Sequence, residues 1–195
     1  VEHVERVERG RKDFVIGCVG NFDPLKDQMT LLRAVEIFSR VEVEKGRFSR
    51  VEHVGEGIRV VFVGSGPERA KCEAHAREKG IDAEFRDEVR HEALADFYRG
   101  LDLFVLPSYF EGFGCVYAEA WSCGTPFIAC EGQGIEDLIA PEDRKKWLCR
   151  PGDAEDLARK IQGYMEHRRE QTLTGPVDID ALVAQFLHDL PVLHG

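Results

Sequence analysis

A chain of 195 residues is the size of one domain, and at that length a single core buries roughly 70% of the surface that the unfolded chain exposes. Its 26 Lys and Arg against 36 Asp and Glu leave a net charge of -10, which opposes extended contact with a phosphate backbone and argues against nucleic acid as a partner. No apolar run approaches the ~20 residues that span a bilayer, the first residues lack the pattern of a signal peptide, and the six cysteines show no CxxC spacing, so the expectation is a soluble, cytoplasmic chain with reduced thiols and no metal cluster.

Residues 1–12 are charged and poor in turn residues, and read as a linker or the remnant of a preceding domain. From there short runs rich in Val, Ile and Phe alternate with segments of helical period, the mark of a parallel sheet covered on both faces. Strands are predicted at 13–20, 58–64, 83–85, 102–108 and 126–130, with a weaker one at 146–149. The first helix, 27–41, carries Leu31, Leu32, Val35 and Phe38 on one face, and the polar stretch after it reads as a surface excursion. Further helices are predicted at 67–80, 91–100, 114–124 and 153–169, the first three closed by Gly80, Gly100 and Gly124 as left-handed caps. Residues 171–195 read as a loop and a last amphipathic helix, with Leu182, Phe186, Leu187 and Leu190 in its stripe. The fold class is therefore α/β, a doubly wound parallel sheet over 13–170, whose ligands sit beyond the carboxyl ends of the strands.

Three loops that follow strands carry residues suited to a ligand. In "VGNFDPLKDQ", Lys26 lies near the start of a helix, where an ammonium and free backbone amides together suit a diphosphate; a solvated lysine in a turn is the plainer reading. In "VFVGSGPERA", Gly64 and Gly66 let a ligand approach the main chain or simply form a tight turn, and Arg69 in place of a third glycine disfavours a nicotinamide cofactor. In "YFEGFGCVYAEAW", Gly112 and Gly114 make a strand-to-helix turn whose amides at Phe113, Gly114 and Cys115 can cradle an anion or a hydroxyl. Glu111 precedes that helix and Glu119 lies in its second turn; an ionised carboxylate accepts from two neighbouring hydroxyls of a sugar ring. A hydrolytic acid/base pair, or a capping Glu111 with a solvated Glu119, are the alternatives.

Taken together, these residues resemble the C-terminal, donor-binding half of a retaining GT-B glycosyltransferase of the family 4 type, over about residues 14–165. The strongest stretch is 105–139, "VLPSYFEGFGCVYAEAWSCGTPFIACEGQGIEDLI", which is similar to the family's P-S-x-x-E-G-F-G block nearly position for position. "VVFVGSGPER" and "PGDAEDLARKI" also match. The resemblance implies a Rossmann-like domain that binds a nucleotide diphosphate sugar as substrate, without cofactor or metal. In it Glu119 would hold the ribose, and Glu111 would face the sugar. The amides of Gly112, Phe113, Gly114 and Cys115 would bind sugar hydroxyls and the distal phosphate, Gly64 would line the donor site, and Lys26 would neutralise the diphosphate. Arg86, Glu88 and Val89 would lie where the base is read. Asn21 stands where the family often has arginine, which removes one charge from the leaving-group site. The acceptor, a saccharide or lipid-linked glycan, would bind a missing N-terminal domain, so the chain alone is expected to be inactive. The full-length protein is expected in the cytoplasm or peripheral at the inner membrane face. A regulatory or degenerate nucleotide-sugar module, and a GT-B epimerase or phosphorylase, are the rival readings.

Overall fold

The computed structural model describes residues 13–44, 57–112 and 114–167. The predicted residues of the linker at 1–12, most of the excursion after the first helix, Phe113 and the last amphipathic helix lie outside them. In chain order the elements are β1 (Phe14–Val19), α1 (Gln28–Glu44), β2 (Ile58–Val63), α2 (Arg69–Lys79), β3 (Ala83–Arg86), α3 (His91–Arg99) and β4 (Leu103–Val105). There follow α4 (Cys115–Ser122), β5 (Phe127–Cys130), a 3-10 turn (Gly134–Leu138), α5 (Arg144–Trp147), β6 (Leu148–Cys149) and α6 (Ala154–His167).

The six strands form one parallel sheet in the order β3-β2-β1-β4-β5-β6. Strands buried on both faces need no polar alternation, and β1, β4 and β5 are accordingly almost wholly apolar and buried. Helix α1 buries Leu31, Leu32, Ala34 and Val35, and α6 buries Leu157, Ala158, Ile161 and Tyr164. An aromatic chain ties the layers together, with Tyr98 edge-on to Phe104 and Phe104 edge-on to Tyr117. The strand order reverses between β1 and β4, the switch point beside which doubly wound sheets bind their ligands, so the loops after these two strands border the expected crevice.

Several expectations need correction. Gly100 does not adopt the left-handed conformation expected of a helix cap: its φ is -73°, and its N–H bonds back to the carbonyls of Asp96 and Phe97 as a continued turn would. Gly80 and Gly124 do take positive φ, 66° and 77°. The fourth strand is shorter than its apolar run, since Pro107 has no N–H to continue the ladder, although Leu106 and Ser108 remain buried. The run at 146–149 divides between the end of α5 and the two-residue β6. A 3-10 turn, with no apolar period of its own, stands in the loop after β5.

Candidate functional site

The loop after β1 is shaped from within. Asp23 accepts the amides of Leu25 and Lys26 at its Oδ1, at 2.8 and 3.1 Å, a side-chain turn that closes the loop. Gln28, almost fully buried, donates from Nε2 to the Asn21 carbonyl oxygen at 2.9 Å. Asp27 has φ 45°, and its carboxylate accepts the Thr30 hydroxyl at 2.6 Å to begin α1. Burial pushes the Asp27 carboxyl up, against the opposing pull of its bonds to Thr30. The loop thereby carries Lys26 toward β4.

The loop after β4 meets it. The Tyr109 amide donates to the Leu25 carbonyl oxygen at 2.7 Å, joining the two main chains. Lys26 Nζ then forms an ion pair with Glu111 Oε1, and the Ser108 hydroxyl donates to the same oxygen at 3.0 Å. The Lys26 and Glu111 side chains are 24% and 12% exposed, shielded enough to be held yet open on one side. Because an ammonium has three donors and a carboxylate two oxygens, this pair retains capacity for a further ligand. Gln133, from the loop after β5, donates to the Ser108 carbonyl oxygen, and the Gly134 amide donates to that of Gly112 at 3.0 Å.

Beyond Glu111 the chain turns sharply into α4. Gly114 has φ 72°, and a Cβ there would come within 2.6 Å of the Tyr117 ring, so no larger residue fits. Tyr117 is fully buried and anchors α4 to the strand by donating its hydroxyl to the Leu106 carbonyl oxygen at 2.7 Å. Cys115 is exposed at the helix start, beside the open Gly112. Glu119, half-buried in the next turn, accepts the Tyr98 hydroxyl at Oε2, 3.0 Å away. Burial foremost, with the Glu119 charge, pushes the Tyr98 hydroxyl well above its usual range, so it remains a proton donor throughout the working pH range.

The structure thus brings Lys26, Glu111 and Gly112 to one crevice, with Glu119 one turn into the helix that begins there. Asn21 is exposed in the first loop, its carbonyl held by Gln28. Gly64 has a packing reason of its own: a Cβ there would penetrate the Gly20 carbonyl oxygen, where the loops after β1 and β2 touch. Arg69 clamps the ends of β2 and β3, donating to the carbonyls of Gly64 at 3.2 Å and Phe85 at 3.2 Å. Arg86 is exposed at the end of β3, where its Nε pairs with Glu84 Oε1 at 2.7 Å. Glu88 accepts the Ser65 hydroxyl at 2.7 Å, and Val89 is half-buried in the same loop. Phe113 lies outside the described residues. Sequence reasoning missed Ser108, Tyr98, Gln28 and Gln133; a serine at the end of an apolar strand run was the one visible hint, and the others show their partners only in three dimensions. Among the described residues no three of His, Cys, Asp and Glu converge as a metal cluster, and no helix is long and apolar enough to cross a membrane.

Comparison with known proteins bears on the family and the fold. The family model described as glycosyl transferases group 1 matches residues 2–174. A curated relative, the D-inositol 3-phosphate glycosyltransferase of Rhodococcus erythropolis, is 38% identical over 182 residues, covering 89% of this chain and 36% of the relative. The chain thus spans about a third of that relative's length. Among solved structures, Anabaena HepE in complex with UDP-glucose superposes with a TM-score of 0.68 at 22% identity, over 89% of this chain and 44% of HepE. The C-terminal domain of a group 1 glycosyl transferase from Francisella tularensis gives 0.62 at 19% identity, over 80% of this chain and 77% of that domain. At those identities the structural likeness speaks for the fold, which is that of GT-B glycosyltransferases. Family model, curated relative and sheet order agree: the chain belongs to the glycosyl transferases group 1 family.

Proposed function

We propose that this chain is the donor-binding part of a retaining glycosyltransferase, which moves a sugar from a nucleotide diphosphate to an acceptor hydroxyl. The observation that carries the reading is the meeting of Lys26 and Glu111 across the crevice between the β1 and β4 loops. Departure of the diphosphate concentrates negative charge on its oxygens. Lys26 and the amides at the start of α4, near Gly114 and Cys115, would stabilise that charge, on this reading without a metal ion. Glu111, fixed through Oε1, presents its other oxygen to the sugar, and Glu119 takes the ribose hydroxyls. A UDP-glucose complex of the structurally similar HepE supports a nucleotide diphosphate hexose as the donor class.

The acceptor, a saccharide or lipid-linked glycan, would be held by a second domain, in keeping with the third of its relative's length that this chain spans. The 195-residue chain alone then binds donor and turns nothing over. A thermal-shift panel of uridine, guanosine and adenosine diphosphates and their hexose conjugates tests this, because a ligand of the native state raises the melting temperature. One nucleotide class should stabilise the chain, with no sugar transferred. Stabilisation by none of them, or transfer by the chain alone, would refute the reading.

One observation favours a second reading, a nucleotide-sugar module without catalysis. Lys26 is the sole cation in the stretches 20–27, 64–68, 106–112 and 131–133, and Arg86 is turned to Glu84. Restoring the rest of the protein separates the two, since only the transferase gains activity.

A further inference from the structure

We infer that Tyr98 is a positioning residue for Glu119 and, through it, sets how tightly the ribose of the donor is held. The inference rests on the donor-binding reading above, which gives the ribose to Glu119.

Glu119 projects from a short helix and is only half-buried, so nothing in α4 itself fixes its carboxylate. A freely rotating carboxylate would lose side-chain entropy on gripping two neighbouring hydroxyls. Tyr98 removes that freedom beforehand. Its hydroxyl donates to Glu119 Oε2 at 3.0 Å, while Oε1 takes no hydrogen bond among the described residues and is left for a ligand.

Tyr98 is itself rigidly placed. The residue is 1% exposed, with its ring edge-on to Phe104 at 5.5 Å and to Phe97 at 5.8 Å. Its carbonyl oxygen accepts the buried Thr125 hydroxyl at 2.6 Å, and the Thr125 amide in turn donates to the Ala120 carbonyl at 2.9 Å. Thr125 thus ties the C-terminal end of α3 to α4, which holds Tyr98 and the Glu119 backbone at a set separation. A purely structural tyrosine would need only its ring; the hydroxyl is aimed at the one carboxylate of α4 that the donor reading uses.

Calorimetric titration of the 195-residue chain with UDP, GDP and ADP, each beside its 2′,3′-dideoxy form, tests this. For the diphosphate that binds, Tyr98→Phe should weaken affinity about 5- to 10-fold, the scale of one ordinary net hydrogen bond, since the contact acts on the ligand only through Glu119. Affinity for the dideoxy form should be unchanged. Added to Glu119→Ala, the same substitution should have no further effect. Phenylalanine keeps the ring contacts, and an unaltered melting curve checks that the packing is intact. Equal loss for the ribo and dideoxy forms would make Tyr98 merely structural, and no loss for either would remove its role. If the wild-type chain binds a ribo form no better than its dideoxy form, Glu119 does not hold the ribose and the inference fails with that assignment. If none of the three diphosphates binds, the donor reading itself fails.

Discussion

At the scale of single residues, the crevice is made by carboxylates that are each held through one oxygen within the fold and have the other left over. Glu111 is held through Oε1 by Ser108 and Lys26, and Glu119 through Oε2 by Tyr98. Both carboxylates are therefore oriented before a ligand arrives, which lowers the ordering cost of binding. Glycines make the room. At Gly64 the φ of 142° and the close approach of the Gly20 carbonyl exclude a side chain, and the obstruction is main chain that cannot rotate away. Gly64→Ala should therefore destabilise the fold by about 1–3 kcal/mol, the usual scale of overpacking. Urea unfolding measures it, and an unchanged midpoint would contradict the contact. At Gly112 a Cβ meets nothing within 4 Å, so alanine there should leave stability alone and act only on ligand binding.

At the scale of elements, the hydrophobic pattern made the architecture legible. Every strand expected from an apolar run was found, the last only as its two-residue end, and α1, α2, α3, α4 and α6 stand where their patterns placed them, whereas the short α5 was not foreseen; strands buried on both faces and helices with one apolar stripe leave plain traces. What the pattern could not show was geometry without periodicity. The 3-10 turn at Gly134–Leu138 is set by Gln133 and by the Gly112 contact, and the clamp of Arg69 depends on two strands brought together by folding. The site was legible in part, for the same reason: Lys26 and Glu111 stood out by residue type, whereas Tyr98 looked like any core aromatic. A further element-scale prediction concerns α6. Asp156, in its first turn, accepts the Arg150 amide at 2.9 Å and the Arg159 guanidinium at 3.1 Å. Burial pushes its carboxyl up, but these bonds and the neighbouring cations outweigh that and leave it below the ordinary value. A carboxyl depressed on folding adds stability that is present above its unfolded pKa, about 3.9, and is lost as pH falls through the lower folded value. Asp156→Asn should thus lower the urea midpoint near neutral pH, and the difference from wild type should shrink toward about pH 2. A difference that stayed constant with pH would assign the cost to packing rather than charge.

At the scale of the whole molecule, the sheet order decides where chemistry is available. Its reversal between β1 and β4 opens the crevice, and the loops after those strands deliver Lys26 from one side and Glu111 from the other. The net charge of -10 makes this more pointed, since an anionic diphosphate approaching an acidic protein needs a local cation. Asn21 carries none, and Arg86 is paired through Nε with Glu84. On the proposed donor-binding reading, the electrostatic part of binding would fall on Lys26, assisted by the amides at the start of α4. The most direct test is calorimetric titration of wild type and Lys26→Ala with a nucleoside diphosphate and with the corresponding nucleoside. Loss of the ammonium should weaken diphosphate binding by about tenfold or more, the scale of one charge-assisted contact, while leaving nucleoside binding nearly unchanged. Equal diphosphate affinity in the two proteins would contradict the account.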